Sequence, residues 1–249
     1  MISDHDLERY SRQILVPDFE LDGQAALGEA HVIVVGCGGL GVPAAMYLGA
    51  AGVGTVTLID DDRVELSNLP RQPLFRVADI GRLKGDVLRE HMLANRPGAQ
   101  INVVAQRLDS LNAPALLANA DVVVDATDNR EARLLIDRVT FAAGMPWIMG
   151  AATRLSGQII AFDSARDWGC YHCLVSDPGA QATGKCADLG VVGSAVASVA
   201  LQQVTDVIKL LTGCGSVLWG ECRVFDDATN ERFTLRLQKR VGCVNCGSK

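Results

Sequence analysis

Short runs of aliphatic and β-branched residues alternate with segments of helical periodicity along the first 150 residues of the chain. Residues 31–35 and 55–59 are two such runs, and each is long enough for a buried strand. Between them, residues 43–51 have the spacing of a helix, and a glycine-rich stretch precedes that helix. The order strand, turn, helix, strand predicts a βαβ unit.

The same alternation continues beyond this first unit. The pattern predicts helices over residues 85–95, 113–118 and 131–143, and strands over residues 101–105, 121–125 and 147–150. Strands made almost entirely of Val and Ile, separated by helices, are typical of a parallel sheet that is buried on both faces. We therefore expect an α/β fold of the Rossmann type, with a mostly parallel sheet and helices on both sides.

The pattern changes after residue 151. Residues 157–163, 217–225 and 232–238 have the character of strands, and a long helix is predicted over residues 194–211. We expect these strands to form a smaller antiparallel C-terminal portion that packs onto the same sheet. Before the first strand, residues 1–28 have helical spacing and predict an N-terminal helical arm.

Composition and charge narrow the class of protein. The chain has 249 residues, 49% of them hydrophobic, and 25 glycines, which suits a single large α/β domain. Its net charge of −6 argues against broad binding to nucleic acid or to an anionic membrane, because both need a basic surface. No segment resembles a secretory leader or the roughly 20 apolar residues of a membrane span, so the cytoplasm is the expected compartment.

A glycine-rich turn lies between the first predicted strand and the helix that follows it. Gly36, Gly38, Gly39 and Gly41 have the spacing of a phosphate-binding turn, in which backbone N–H groups and a helix N-terminus face the phosphate. Asp60, at the end of the second predicted strand, is suitably placed to accept a hydrogen bond from a ribose hydroxyl. These features alone favour a nicotinamide or flavin dehydrogenase, and a glycine turn without a ligand is the alternative.

A set of charged and amide side chains changes that interpretation. Asn68, Arg71 and Gln72 follow the second predicted strand, and Lys84 and Asp128 come later near predicted strand ends. Hydride transfer does not need such a set, whereas displacement at a phosphate does, because negative charge accumulates on the reacting groups. Asp128 also offers the hard oxygen donors that Mg²⁺ prefers. Taken singly, Arg71 and Lys84 would be interpreted as ordinary solvated charges.

Two Cys-x-x-Cys pairs stand far apart in the second half of the chain. Cys170 and Cys173 form the first pair, and Cys243 and Cys246 form the second. Two such pairs can complete a closed tetrahedral zinc site of the structural type. The metal would then fasten the C-terminal tail to the loop that carries the first pair. A redox Cys-x-x-Cys motif is the competing interpretation.

The ordered set of motifs resembles that of the MoeB/ThiF family, the bacterial relatives of ubiquitin-activating enzymes. The likeness runs from about residue 6 to residue 247 and rests on residues 9–14, 36–41, 68–72 and 126–129, on Lys84, and on both Cys pairs. The set is specific, although none of its motifs is specific alone. Pro70 departs from the family, whose members often carry a polar residue there, and it puts no proposed contact in doubt.

The resemblance implies an adenylyltransferase. Such an enzyme uses ATP and Mg²⁺ to activate the C-terminal Gly-Gly carboxylate of a small ubiquitin-like sulfur-carrier protein, for molybdopterin, thiamine or related biosynthesis. It also implies a structural Zn²⁺ at the two Cys pairs. The alternatives are a family variant that adenylates a peptide or a modified tRNA base, an NAD-binding oxidoreductase, and a non-catalytic scaffold. The acidic balance weighs against the tRNA variant.

The resemblance further implies roles for individual residues. The nucleotide would be held by Gly36, Gly38, Gly39, Gly41 and Asp60, and the triphosphate would be lined by Asn68, Arg71, Gln72 and Lys84. Asp128, with its neighbour Asn129, would bind Mg²⁺ or position the phosphates. Arg12 matches a residue that enters the active site of the neighbouring subunit, which implies a homodimer.

Two expectations concern the sulfur chemistry and the domain plan. Cys186 matches a cysteine that forms a covalent link with the carrier in some members and is dispensable in others, so its role stays open. The chain ends soon after the second Cys pair, so we expect a separate protein to donate the sulfur. We expect one domain over residues 1–249, with the helical arm at 1–28, the nucleotide-binding core at 29–155, and a carrier-binding and zinc-bearing portion at 156–249.

Overall fold

One mixed sheet of eight strands runs through residues 3–175 and 190–247, the part of the chain that the computed structural model describes. The strands are β1 (His31–Val35), β2 (Thr55–Ile59), β3 (Gln100–Val104), β4 (Val122–Asp125), β5 (Trp147–Thr153), β6 (Ser156–Phe162), β7 (Glu221–Asp226) and β8 (Glu231–Arg236). Their order across the sheet is β3-β2-β1-β4-β5-β6-β7-β8.

The sheet changes from parallel to antiparallel at β5. Strands β3, β2, β1, β4 and β5 pair in parallel, whereas β6, β7 and β8 are added by antiparallel pairing. The change takes place in the tight connection from Thr153 to Ser156, where Arg154 has a φ of 54°. The predicted antiparallel portion is confirmed, and it continues the same sheet.

Helices cover the sheet and form the N-terminal arm. They are α1 (Asp4–Arg9), α2 (Ser11–Ile14), α3 (Glu20–Glu29), α4 (Gly41–Ala51), α5 (Lys84–Asn95), α6 (Ala113–Leu116), α7 (Arg130–Ala143), α8 (Tyr171–Leu174) and α9 (Gly193–Thr212). Short 3₁₀ turns occupy Leu66–Asn68 and Val77–Asp79. Among the described residues, no helix has the length and apolar character that crossing a membrane requires.

Both faces of the parallel strands are buried. Side chains alternate across a strand, so Val32 and Val34 pack in one core with α3, α4, α5 and α9. Ile33 and Val35 pack in a second core on the opposite face, with α7 and α8. Because both faces of these strands are buried, their sequences are apolar at almost every position. The predicted Rossmann-like arrangement is confirmed.

The order of the strands creates a crevice beside β1. The chain proceeds from β1 to β2 on one side, and it later returns to place β4 on the other side of β1. The connections that follow β1 and β4 therefore diverge to opposite faces of the sheet. In open α/β sheets, ligands bind outside the carboxyl ends of the strands at such a switch point.

Candidate functional site

The glycine turn after β1 leaves no space for side chains at two of its positions. Gly36 has a φ of 97°, and a Cβ atom there would lie 2.8 Å from the Ala126 carbonyl oxygen. A Cβ atom on Gly41, the first residue of α4, would lie 1.8 Å from the Gly36 carbonyl oxygen. The turn therefore folds tightly and lies directly against the segment that follows β4. Its backbone is free to approach a ligand in the crevice.

Asp60 holds this turn in place. One carboxylate oxygen accepts a hydrogen bond of 2.6 Å from the backbone N–H of Cys37, and the other accepts one of 2.7 Å from the N–H of Asp62. Burial raises the pKa of Asp60 above its ordinary value, although these two backbone donors act in the opposite direction. Each carboxylate oxygen has a further lone pair, so these contacts leave an acceptor for the predicted ribose hydroxyl.

Lys84 lies at the same edge of the sheet, as the first residue of α5. Its side chain is buried, and Nζ donates a hydrogen bond of 2.7 Å to the exposed carboxylate of Asp62. Sequence reasoning did not select Asp62 as a site residue. The signal that points to it is the run of three Asp residues at the end of β2, which places an anion within reach of the predicted lysine.

The segment that contains Asn68, Arg71 and Gln72 packs against the glycine turn. Asn68 is buried, and its carbonyl accepts hydrogen bonds from the backbone N–H groups of Arg71 and Gln72. A Cβ atom on Gly39 would lie 3.6 Å from Arg71 Cγ, and one on Gly38 would lie 3.7 Å from Gln72 Nε2. Gln72 is 2% exposed, and its Oε1 has no hydrogen-bond partner among the described residues.

The segment after β4 is supported by a buried ion pair. Asp125 accepts hydrogen bonds from the backbone N–H and the hydroxyl of Thr127, and it lies 3.4 Å from Arg133 Nε. Burial raises the pKa of Asp125, and the nearby Arg133 opposes that shift. Asp128, which follows Thr127 in the chain, is exposed. Asn129 caps α7 by accepting a hydrogen bond from the backbone N–H of Ala132. The segment borders the glycine turn at Ala126 and Thr127, whose backbone O and N atoms would lie 2.8 Å and 3.5 Å from a Cβ atom on Gly36, and the predicted residues Asp128 and Asn129 follow directly.

Arg12 does not join this group within one chain. It is exposed on α2, and the neighbouring Gln13 donates a hydrogen bond of 3.0 Å to the Ala51 carbonyl at the end of α4. Helix α4 begins at the glycine turn and rises about 1.5 Å per residue, so α2 lies roughly 15 Å from the turn along that helix. Cys186, for which a covalent role was left open, lies outside the described residues.

The four cysteines of the two pairs converge into one cluster. Their Sγ atoms all lie within 4.8 Å of one another. The separations are 3.9 Å for Cys170 and Cys173, 3.6 Å for Cys170 and Cys243, and 3.3 Å for Cys173 and Cys246. A tetrahedral site with metal–sulfur bonds of about 2.3 Å has sulfur–sulfur edges of about 3.8 Å, so the cluster fits a metal of that kind.

Within the cluster, the pKa values of the cysteines are shifted in opposite directions. Burial acts to raise the pKa of Cys243, but hydrogen bonds from the backbone N–H groups of Cys246 and Asn245 and from neighbouring thiols outweigh it. The net effect lowers the pKa of Cys243 to about 6. All four cysteines are buried and free of disulfide bonds. Burial instead raises the pKa of Cys170 above its ordinary value and that of Cys246 to about 11. A bound metal ion would supply the positive charge that keeps all four cysteines as thiolates, the form in which cysteine binds a metal.

Comparison with known proteins identifies the chain's relatives. The model of the ThiF family matches residues 10–245. The chain is 41% identical to the "Sulfur carrier protein ThiS adenylyltransferase" of Escherichia coli (strain K12), over 99% of this chain and 97% of that protein. It is 38% identical to the "Molybdopterin-synthase adenylyltransferase" of the same organism, over 99% of this chain and 98% of that protein.

Longer relatives match the chain as well, and solved structures share its fold. The chain is 37% identical to the "Adenylyltransferase and sulfurtransferase MOCS3" of Drosophila grimshawi, and it spans 56% of that protein. A crystal structure of E. coli MccB superposes with a TM-score of 0.85 over 97% of this chain and 75% of that one, and at 20% identity it supports the fold alone. The family match covers nearly the whole chain, and this chain belongs to the ThiF family.

Proposed function

We propose that the protein is an ATP-dependent adenylyltransferase that activates the C-terminal carboxylate of a small sulfur-carrier protein. The observation that carries this proposal is the group of side chains at the switch-point crevice. The glycine turn packs against the Arg71 segment and against the segment that follows β4, to which Asp128 belongs, and the buried Lys84 pairs with Asp62 after β2. Two adenylyltransferases that are 41% and 38% identical over almost their whole length support the same activity.

The proposed reaction needs little chemistry from the protein. The carrier's terminal carboxylate is already ionised near neutral pH, so no general base is required. Its oxygen attacks the α-phosphorus of ATP, the bond from that phosphorus to the bridging oxygen breaks, and pyrophosphate leaves with the electron pair. The products are an acyl-adenylate and pyrophosphate. The task of the enzyme is to align the two substrates and to neutralise the charge on the phosphates.

We assign separate roles in substrate alignment and charge neutralisation to the residues at the crevice. Backbone N–H groups of the glycine turn and the N-terminus of α4 face the phosphates, and Asp60 receives the ribose. Lys84 and Arg71 neutralise the triphosphate, while Asn68 and Gln72 supply amide contacts. Gln72 Nε2, which lies beside Gly38, is the donor that would meet a phosphate oxygen. Gln72 Oε1 has no hydrogen-bond partner among the described residues, and it would accept only from an N–H or O–H group of a ligand. Asp128 would hold Mg²⁺, which supplies further charge neutralisation, and Asn129 fixes the start of α7 beside it.

The carrier is proposed to dock on the antiparallel end of the sheet, within residues 156–249. Two large apolar side chains of β8, Phe233 and Leu235, are 48% and 56% exposed. They point to one face of the strand, since they are two residues apart. A ubiquitin-like carrier could cover this apolar face while its C-terminal tail enters the crevice. One relative is named for the sulfur carrier protein ThiS and another for molybdopterin synthase, so the carrier stays open between them. We keep thiamine and molybdopterin biosynthesis as the two candidate pathways, with the sulfur supplied by a separate donor.

The proposed assembly is a homodimer with a shared site. Arg12 is exposed, and α2 lies at the end of α4 that is remote from the glycine turn of the same chain. From that place, we infer that the guanidinium contacts the phosphates bound to a second subunit rather than those bound to its own. An arginine supplied in trans raises rates by about 10³–10⁵ in other phosphoryl-transfer enzymes.

The cysteine cluster is proposed to bind one structural Zn²⁺. Four buried thiols within 4.8 Å of one another leave no open coordination position for a substrate. The metal would join the start of α8 to the C-terminal tail, and its contribution would be to stability.

ATP–pyrophosphate exchange tests the adenylation proposal. Purified protein is incubated with ATP, labelled pyrophosphate and a panel of Gly-Gly-ended carriers, and we expect exchange that depends on the carrier. Arg71→Ala and Asp128→Ala should reduce the exchange rate by at least about 10²-fold without loss of fold. Arg89→Ala, which removes an exposed guanidinium from α5, is the matched control and should leave the rate unchanged.

Two outcomes would contradict the proposal. Wild-type exchange rates in Arg71→Ala and Asp128→Ala would remove the assigned phosphate contacts. Absence of exchange with every carrier, in protein that binds ATP, would point to a different carboxylate substrate.

A further inference from the structure

Asp137 is a buried carboxylate on α7 that no step of the proposed reaction uses. It is 1% exposed and lies beside the cysteine cluster. An isolated buried carboxylate is costly, so its hydrogen-bond donors indicate what keeps it there. The donors come from both of the chain segments that carry the cysteines.

The first segment is fixed through its backbone. The N–H groups of Tyr171 and His172 each donate a hydrogen bond of 3.1 Å to the Asp137 carboxylate. These two residues stand between Cys170 and Cys173 and form the first positions of α8, where backbone N–H groups have no partner inside the helix. Asp137 therefore sets the conformation of the loop that presents the first two thiols.

The second segment is fixed through Asn245, which lies between Cys243 and Cys246. Its Nδ2 donates a hydrogen bond of 2.9 Å to the Asp137 carboxylate and one of 3.3 Å to the Asp137 carbonyl. One residue of α7 thus joins two segments that are distant in sequence. Both attachments use atoms that lie between the two cysteines of a pair, so they orient the thiols themselves.

Asp137 also engages the imidazole of His172. The ring is buried, and its Nδ1 lies 2.6 Å from Asp137 Oδ2, a hydrogen bond in which the ring N–H donates to the carboxylate. One ligand atom from each of Asp137, Cys170 and His172 lies within 4.8 Å of the other two, so the imidazole is a competing ligand for a metal at Cys170, through Nδ1 if this contact is absent. The hydrogen bond occupies that nitrogen and leaves the four thiols as the ligand set.

We propose that Asp137 is the positioning residue of the metal centre. It assembles the two cysteine segments on α7 before the metal binds, and it keeps His172 out of the coordination sphere. The inference rests on the metal site proposed above and is independent of the adenylation reaction. Hydrogen-bond partners outside the coordination sphere typically change metal affinity by about 10–100-fold.

Metal affinity measured on the full chain tests this proposal. Metal-free Asp137→Asn and Asp137→Ala are titrated with Co²⁺ and then with Zn²⁺ against a competing chelator, and circular dichroism checks the fold. We expect affinity to fall about 10-fold in the Asn variant and up to about 100-fold in the Ala variant. Glu131→Gln, which removes one exposed carboxylate from the same helix, should bind as tightly as the wild type.

The visible spectrum of bound Co²⁺ provides a second readout. The wild type should give the spectrum of four thiolates, whereas Asp137→Ala should give a mixed thiolate and imidazole spectrum that His172→Ala reverses. Unchanged affinity and spectrum in folded Asp137 variants would overturn the inference. If those variants do not fold, Asn245→Ala decides, because it removes only the attachment of the tail, and wild-type affinity would then overturn it.

Failure of the wild type to bind either metal would overturn both the metal site and the role of Asp137. Pyrophosphate exchange reports on adenylation separately.

Discussion

A side chain at position 41 would collide with the backbone of its own turn. The nearest atom to an added Cβ is the Gly36 carbonyl oxygen, which is fixed by the path of the chain out of β1. We predict that Gly41→Ala lowers the free energy of unfolding by about 1–3 kcal/mol, since the turn must open to relieve the contact. ATP affinity should fall by at least about tenfold for the same reason. Chemical denaturation and nucleotide titration measure the two effects.

Gly28→Ala is the matched control for this substitution. Gly28 lies in α3, and an added Cβ would meet nothing within 4 Å. Alanine is favoured over glycine in helices, so the variant should gain about 0.5–1 kcal/mol and bind ATP normally. If Gly41→Ala behaved like Gly28→Ala, the tight turn would have no role in nucleotide binding.

Lys84 illustrates what residue patterns can and cannot predict. Its position in an ordered motif was enough to select it from the sequence. The surroundings of Lys84 could not be predicted from the sequence, because its hydrogen bond to Asp62 depends on the path of the loop between β2 and α5. A buried cation at a helix N-terminus opposes the helix dipole, and local rules of this kind are most often broken at functional sites. The backbone hydrogen bonds of Asp60 were equally invisible in the sequence.

Individual elements were predicted well wherever burial dictated their sequence. The ranges predicted for β1 and β2 match the structure, because strands buried on both faces must be apolar throughout. The N-terminal arm was predicted as one helical region, whereas it consists of three short helices interrupted near Asp18, whose φ is 65°. Helix α8 was not predicted, since three of its four residues are buried and its sequence has no alternation of apolar and polar positions.

At the C-terminal end, β7 begins later than its pattern suggested. The apolar residues from 217 onward predicted a strand, but the paired strand starts at Glu221. Gly220, with a φ of 65°, separates the two parts, and Trp219 makes only an isolated bridge to Ala161. Apolar composition therefore identified the segment, while its backbone geometry decided which residues join the sheet.

Removal of the metal should loosen the elements that the cluster joins. We predict that metal-free protein, or Cys243→Ser, exchanges the amide hydrogens of α8 and of residues 240–247 about an order of magnitude faster or more. The parallel strands should keep their protection, because their cores do not include the cluster. Hydrogen exchange with mass spectrometry resolves the two regions.

Cys222→Ser is the control for this experiment, since Cys222 is buried on β7 and lies outside the cluster. It should leave the exchange of the tail unchanged. Equal protection of the tail with and without metal would mean that the four cysteines have no structural task.

At the scale of the whole molecule, the fold class followed from the alternation of elements, but the order of the strands did not. The order depends on which side of β1 the chain returns to after β3, and no residue pattern records that choice. The separation of Arg12 from the crevice is likewise a property of the complete fold.

The proposed shared site leads to a prediction about mixed dimers. Arg12→Ala and Asp128→Ala should each be inactive alone. When they are mixed and allowed to exchange subunits, half of the dimers become mixed, and each contains one site with both residues intact. We predict recovery of about a quarter of the wild-type exchange rate. No recovery after confirmed subunit exchange would mean that Arg12 does not act in trans.

The position of β8 has a consequence for self-association. It is the last strand of the sheet, all six of its residues are exposed, and among the described strands it pairs only with β7. Its outer row of backbone N–H and C=O groups is therefore available to any extended segment that approaches, including β8 of another copy. Glu231, Arg232 and Arg236 place charge along this edge, which is a common protection against misdirected strand pairing. Replacing these charged residues with apolar ones should therefore increase self-association through β8, where Phe233 and Leu235 are already exposed.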